Sequence, residues 1–185
     1  MSLWGPEYRI QGKYATMTRA LCDREHNYIY FKTYVELMVI APLVGLYFRN
    51  KVDEKFIDTT RRDNDCRILL EQLEGKREQI YFVYRLVILG DRDEHDFNKK
   101  VEVAFKYIND DNREETKKAE ILYRRYLYGG IEELYNRLIG QEDLNEIKKN
   151  QAEPMEEMRN FESFIDAISG PDSSTVEKWG KIANT

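Results

Sequence analysis

Tyr28–Phe48, which reads YIYFKTYVELMVIAPLVGLYF, is the most apolar stretch of the 185-residue chain. Its apolar residues recur at the spacing of a helix, and they include Tyr34, Leu37, Met38, Ala41 and Val44. Pro42 lacks a backbone N–H and lies inside this pattern, so we expect the helix to kink there. The stretch therefore predicts a kinked central helix around which amphipathic segments pack.

The same stretch is also the candidate for a membrane span, which needs about 20 mostly apolar residues. Lys32 and Glu36 leave an uncharged run of only Leu37–Phe48, and Pro42 and Gly45 interrupt that run. The sequence therefore predicts a buried core helix and no membrane association. The N-terminal residues MSLWGPEYRIQGK lack the pattern of a secretory signal, so we expect a cytoplasmic location.

The composition is that of one ordinary globular domain, with 42% hydrophobic and 34% charged residues. The 29 basic and 34 acidic residues give a net charge of -5, which argues against a large basic face over the whole molecule. Cys22 and Cys66 have no CxxC spacing, so buried free thiols in a reducing compartment are favoured over a zinc or redox pair.

Shorter apolar patterns elsewhere predict further helices, separated by Gly, Pro and polar turns. We expect an all-α fold, a single-domain irregular bundle of about six to eight helices around the central helix. It would comprise an N-terminal arm (1–24), a core (25–140) and a C-terminal helical extension (141–185). Ile80–Leu89 would also suit a buried strand, but we predict a helix because no partner strand with alternating pattern is evident.

Two amphipathic helices are predicted after this second apolar run. The apolar stripes are Phe97, Val101, Phe105 and Ile108 in the first helix, and Ala119, Leu122, Tyr123 and Tyr126 in the second. We expect both stripes to pack on the body of the protein. Gly129-Gly130 is interpreted as the end of the second helix, since glycine is common just past helix ends.

The two histidines, His26 and His95, each follow a glutamate, Glu25 and Glu94, in an acidic string. Imidazole and carboxylate groups suit zinc, manganese or iron, so a metal site formed by these four residues is one hypothesis. Neither string has the HExxH spacing that places two ligands on one helical face. Acidic residues at helix starts, explained by capping and the helix dipole, are the favoured interpretation.

Basic residues and tyrosines alternate between residues 113 and 128. A stripe that could contact nucleic-acid phosphates is formed by Arg113, Lys117 and Arg124, with Lys118 and Arg125 beside it. An ordinary solvated helix face with opposite-charge pairs is the favoured alternative. The chain also contains thirteen tyrosines, a residue type common both at core edges and at protein interfaces.

Signatures of catalysis are missing from the sequence. It contains no nucleophile elbow GxSxG, no GxxxxGK[ST] and no GxGxxG, so neither a catalytic residue nor a small-molecule cofactor is predicted. We expect a non-enzymatic protein that binds a partner protein or its own copy, with DNA as a further candidate ligand. The alternative is a metal-dependent, nuclease-like enzyme that uses the His26 and His95 clusters.

Three stretches carry a resemblance to a known family: Tyr30–Val35 continuing to Gly45, Ile80–Gly90, and Tyr126–Ile131 followed by Leu134. In this order, over residues 28–139, the chain resembles small proteins that accompany bacterial DNA phosphorothioation gene clusters, the group called dnd system-associated protein 4. It departs from that pattern at Pro42, in an acidic insert over 91–111 and beyond Gly140. The resemblance implies an accessory or regulatory role in DNA modification or defence, without catalytic residues.

Overall fold

The structure is a computed structural model that describes residues 7–22, 30–56, 65–106, 114–139 and 165. Within these residues the protein is mostly helical, which confirms the all-α prediction. The helices are α1 (Gly12–Cys22), α2 (Tyr34–Phe48), α3 (Leu70–Glu74), α4 (Arg77–Gly90), α5 (Phe97–Val101) and α6 (Glu114–Leu138). Two short strands, β1 (Glu7–Ile10) and β2 (Cys66–Leu69), pair with each other. Among the described helices, none combines the length and the apolarity that crossing a membrane requires.

The chain divides into two units, Met1–Tyr135 and Asn136–Thr185. The elements described here belong to the first unit, apart from the end of α6. The predicted C-terminal extension, 141–185, lies outside the described residues except for Ile165, which is helical and exposed. The predicted division into an arm, a core and an extension therefore stays a prediction.

Helix α2 forms and is largely buried, as its sequence predicts. Thr33 caps its start by accepting a hydrogen bond from the Glu36 N–H, while the Glu36 carboxylate accepts one from the Lys32 N–H. Its end is marked by Arg49, which adopts the left-handed conformation with φ 57°. Apolar residues surround the helix on most sides, and the buried ones are Val35, Leu37, Met38, Ala41, Pro42, Val44 and Gly45.

Pro42 lies inside α2, and the helix continues through it. Because proline has no N–H, the carbonyl of Met38, four residues earlier, loses its usual partner within the helix. The Tyr123 hydroxyl of α6 donates a hydrogen bond to this carbonyl at 2.9 Å, and both groups are buried. A side chain of the neighbouring helix thus compensates for the bond that Pro42 removes.

We expect Tyr123→Phe to lower the free energy of unfolding by about 1–2 kcal/mol, because it leaves the buried Met38 carbonyl without a partner. The loss should be smaller in a Pro42→Ala background, where the restored backbone N–H can donate to the Met38 carbonyl. A double-mutant cycle measured by chemical denaturation tests this coupling. Equal losses in the two backgrounds would contradict the compensation.

Helices α2 and α6 approach each other closely at glycine residues. A Cβ atom placed on Gly130 would overlap the backbone carbonyl of Ala41, and one on Gly45 would overlap the carbonyl oxygen of Tyr126. Such contacts lie far inside van der Waals distance, so only glycine permits this crossing. The two backbones therefore pack directly against each other, with no side chain between them.

Gly129-Gly130 does not end the helix, contrary to the sequence prediction, because α6 continues to Leu138. The reason is close packing, since a Cβ on Gly129 would likewise overlap the backbone carbonyl of Asn50 just after α2. Arg125 reinforces the same junction: its Nε donates to the Val52 carbonyl at 2.7 Å, and its own carbonyl accepts from the Val52 N–H at 3.2 Å. The segment after α2 is thus held along α6.

The tyrosine-rich core lies among α2, α4 and α6. Helix α4 packs on α2, and the Tyr84 ring of α4 lies 5.9 Å from the Tyr123 ring of α6. Helix α4 spans Ile80–Leu89, which confirms that this run is helical rather than a strand. On α1, Tyr14 stacks on Tyr128 of α6 at 4.4 Å.

The sheet was not predicted from the sequence. Strands β1 and β2 run antiparallel, with Glu7 opposite Leu69 and Ile10 opposite Cys66. Cys66 and Ile68 are buried while Arg67 and Leu69 are exposed, which is the alternation of a half-buried strand. The pattern covers only four residues in each strand, and the two strands are far apart in the chain.

Candidate functional site

The apolar stripe of α5 is exposed to solvent rather than packed on the body. Phe97 is 63%, Val101 37% and Phe105 55% exposed, and these residues follow one another every four positions. Ile108, the fourth predicted member of the stripe, lies outside the described residues. The inward positions are instead occupied by Val103 and Ala104. Isolated exposed apolar residues are ordinary, whereas contiguous exposed apolar patches are typical of interaction sites.

A π-helical turn, Glu102–Lys106, directly continues α5 and contains Phe105. A π turn contains more residues than a regular helical turn, so the side chains after Val101 are rotated relative to the positions that regular spacing predicts. Asp96 caps the start of α5 by accepting a hydrogen bond from the Lys99 N–H at 3.2 Å. Phe97 is thereby fixed at the first helical position.

Helix α4 also carries an exposed aromatic residue. Phe82 is 59% exposed, and Arg85 follows it by one helical turn on the same side of α4. The guanidinium carbon of Arg85 lies 5.1 Å from the centre of the Phe105 ring, within the range of a cation–π interaction. We define the aromatic face as Phe82, Arg85, Phe97, Val101 and Phe105.

A buried polar cluster anchors the connection between α4 and α5. Asp91, directly after α4, is buried and accepts hydrogen bonds from the Tyr126 hydroxyl at 2.7 Å and from Lys51 Nζ at 2.9 Å. The Asp93 N–H donates to the other carboxylate oxygen at 3.2 Å, and the Lys100 ammonium of α5 donates to the Asp91 carbonyl. The cluster thus ties α5 to α4, α6 and the segment after α2.

The charge of Asp91 is stabilised where it lies. Burial alone would raise the pKa of its carboxyl, but the hydrogen bonds from Tyr126 and Lys51 outweigh that effect and hold the pKa below its ordinary value. Burial and the hydrogen bond to Asp91 raise the pKa of Tyr126. Asp91 therefore remains an acceptor and Tyr126 a donor at neutral pH, which suits an anchoring role.

The predicted nucleic-acid residues are only partly available on the surface. Lys117 and Lys118 are exposed, and Lys118 pairs with Glu114 at 2.6 Å. Arg124 lies over the Tyr8 ring at 5.3 Å, and the Nε atom of Arg125 is occupied by a backbone carbonyl. Arg113 lies outside the described residues. Both arginines therefore contribute to packing, and reversing their charge would perturb the fold as well as any DNA contact.

Of the predicted metal ligands, the structure describes His95 and Glu94 but not His26 and Glu25. His95 is exposed. Glu94 accepts a hydrogen bond from the Asp96 N–H at 3.2 Å and pairs with Lys99 at 2.7 Å, and these contacts lower the pKa of its carboxyl. These interactions belong to the start of α5. Across the described ranges, no group of three or more His, Cys, Asp and Glu side chains is arranged to hold a metal ion.

Both cysteines are buried and free. Burial is the main cause that raises the pKa of Cys22 to about 12, so its thiol is protonated and a poor nucleophile at neutral pH. The Cys66 thiol donates to the Ala15 carbonyl at 3.3 Å. These contacts are those of packed, structural thiols.

A cavity of about 750 Å³ opens beside the start of α2. Its charged lining includes Arg19, Lys32, Glu36 and Lys76. Several of its polar groups already have partners, since Arg19 donates to the Asp65 carbonyl at 3.1 Å and Glu36 belongs to the helix cap. The cavity therefore has fewer polar groups available for binding a ligand, and the aromatic face is the stronger candidate site.

Comparison of the chain with family models, with curated proteins and with solved structures gives no match. Sequence reasoning found the α5 stripe but missed Phe82 and Arg85. Their signal lay within the second apolar run, where an arginine one turn after a phenylalanine marks the side of α4 that is not buried.

Proposed function

We propose that this protein is a non-enzymatic accessory protein that acts by binding a partner protein through the aromatic face. The observation that carries the proposal is the row Phe97, Val101 and Phe105, exposed along α5 and the π turn that continues it, with Arg85 against Phe105. Aromatic residues and arginine are the types enriched at protein interfaces and at their energetic centres. Burying one such phenylalanine contributes about 1.5–3 kcal/mol.

The rigidity of the surface supports the same proposal. Helix α5 has only five residues, too few to be stable by itself in water. It is held by the Asp96 cap and by the contact of Lys100 with Asp91. A partner would therefore meet side chains that are already ordered, which reduces the entropic cost of association.

The resemblance to dnd-associated proteins supplies the context that we propose for this binding. It supports a role in a bacterial DNA-modification or defence system, in which the partner protein, rather than this chain, carries out the reaction. The buried free thiols suit a reducing compartment, so we place that role in the cytoplasm. Lys117 and Lys118, which are exposed on α6, are the residues through which a direct DNA contact would act.

Site-specific photo-crosslinking in the source organism tests the proposal. A benzoylphenylalanine at Val101 should yield discrete protein adducts after irradiation, because the residue lies in the centre of the aromatic face. The matched control is the same probe at Leu69, which is 51% exposed but lies in β2. The proposal would be contradicted if no adduct formed at Val101, or if Val101 and Leu69 gave the same adducts. Adducts made of nucleic acid would contradict it as well.

We expect the double substitution Phe97→Ser with Phe105→Ser to abolish the Val101 adduct while changing the free energy of unfolding by less than about 1 kcal/mol. The side chains are exposed, so their loss creates no cavity. Once a partner is identified, this loss of anchoring phenylalanines should weaken its binding about 30-fold, which corresponds to about 2 kcal/mol. Leu69→Ser provides the control, and an equal loss of binding there would contradict the assignment of the face.

A further inference from the structure

Arg85 is the charged residue of the aromatic face, and its charge is not neutralised within the described part of the chain. Its Nε atom is buried without a hydrogen-bond partner, and its guanidinium lies against the Phe105 ring. A buried polar group without a partner is costly and rare in native proteins. The buried Nε itself is out of a ligand's reach, but Arg85 as a whole is only partly buried, so its positive charge beside the exposed aromatic rings is left for a ligand to neutralise.

The other cations of this region differ from Arg85. Lys99 pairs with Glu94 at 2.7 Å, Lys106 contacts Glu102 at 3.5 Å, and Lys100 donates to the Asp91 carbonyl. Lys99 and Lys106 are therefore paired with acidic groups, while Lys100 is held by a neutral carbonyl. Arg85 is the one charged member of the aromatic face as defined, and it lies beside Phe105.

We infer that the partner presents an acidic amphipathic helix, whose apolar residues cover the aromatic face while an Asp or Glu carboxylate pairs with Arg85. This inference rests on the proposed function and names the chemistry of its partner. A guanidinium binds a carboxylate through two parallel hydrogen bonds, and exclusion of water by the surrounding rings strengthens them. The row from Phe97 to Phe105 is roughly 12 Å long at 1.5 Å per residue, which matches about two turns of a partner helix.

A second copy of the chain fits the face less well. Of the carboxylates on α5 and beside it in sequence, Glu94 and Glu102 pair with lysines and Asp96 caps the helix. A second copy that docked with its own aromatic face would therefore present no free carboxylate of α5 to Arg85. Nucleic acid also fits less well, because Lys99 and Lys106 already pair with acidic groups and would add few phosphate contacts.

Selection of ligands from a displayed library of random helical peptides tests the inference. The full chain is the bait, and the Phe97→Ser, Phe105→Ser variant removes peptides that do not need the face. We expect the retained peptides to carry Asp or Glu beside their apolar residues and to lose at least tenfold in affinity for Arg85→Gln. The Arg85→Glu variant should bind these peptides still more weakly. Replacing the peptide carboxylate with Lys should then raise the affinity for the Arg85→Glu variant at least tenfold.

The outcomes separate the inference from the proposed function. Face-dependent peptides without acidic residues, equally tight on Arg85→Gln, would overturn the acidic partner and leave the binding function standing. A selection that yields no face-dependent peptide would overturn both. Face-dependent self-association in sedimentation, or Arg85-dependent binding of a labelled oligonucleotide, would assign the face to a second copy or to nucleic acid and also overturn the inference.

Discussion

Gly130→Ala is expected to lower the free energy of unfolding by about 3 kcal/mol, the upper end of the range for overpacking. The added Cβ would overlap the Ala41 carbonyl, which is backbone and cannot rotate away. Helices α2 and α6 would have to separate along their crossing, which includes the bond from Tyr123 to Met38. Chemical denaturation followed by circular dichroism measures the loss.

Gly75→Ala is the matched control for this substitution. Gly75 adopts right-handed helical angles, and a Cβ placed there would meet nothing within 4 Å. Alanine should therefore leave stability unchanged or raise it by about 0.5 kcal/mol, since it restricts the unfolded chain. Equal effects at the two glycines would show that α2 and α6 do not cross as described.

Asp91→Asn is the second substitution with a large expected effect, a loss of about 3 kcal/mol. The amide removes the negative charge that faces the largely buried Lys51 and weakens the acceptor used by Tyr126. Asp93→Asn is the control, because Asp93 contacts the same lysine but is 75% exposed. Surface pairs contribute little, so that variant should lose less than about 1 kcal/mol.

The pH dependence of stability provides an independent signature of Asp91. Since its pKa is lower in the folded protein than the value of about 3.9 in an unfolded chain, its stabilising effect is complete above that pH. The effect is lost as the pH falls through the folded pKa. Wild-type stability should therefore decline more steeply below about pH 4 than that of Asp91→Asn. Parallel profiles for the two proteins would contradict the anchoring role of the carboxylate.

The helices that are apolar on most sides could be predicted from sequence, whereas close backbone packing could not. Helix α2 has few polar positions, so its burial follows from composition. Gly129-Gly130 has the local pattern of a helix end, and the residues that explain its real role, Ala41 and Asn50, are distant in the chain. The two strands were missed for the same reason, since each supplies only four residues and depends on the other.

The candidate site illustrates a different limit of sequence reasoning. Spacing identified Phe97, Val101 and Phe105 as one stripe, but a stripe that faces the core and one that faces a partner have the same spacing. Which way the stripe faces depends on tertiary contacts such as the hydrogen bond from Lys100 to the Asp91 carbonyl, which spacing along the chain does not encode. Arg124 and Arg125 are the opposite case. Their charge and spacing suggested phosphate contacts, but in the structure Arg124 packs on the Tyr8 ring and Arg125 binds the Val52 carbonyl.

The dissociation constant of a partner crosslinked at Val101, compared between the wild type and the Phe97→Ser, Phe105→Ser variant, tests the central claim most directly. We expect binding to weaken at least 30-fold while the unfolding free energies of the two proteins differ by less than about 1 kcal/mol. An unchanged dissociation constant at matched stability would show that the aromatic face is not where this protein binds its partner.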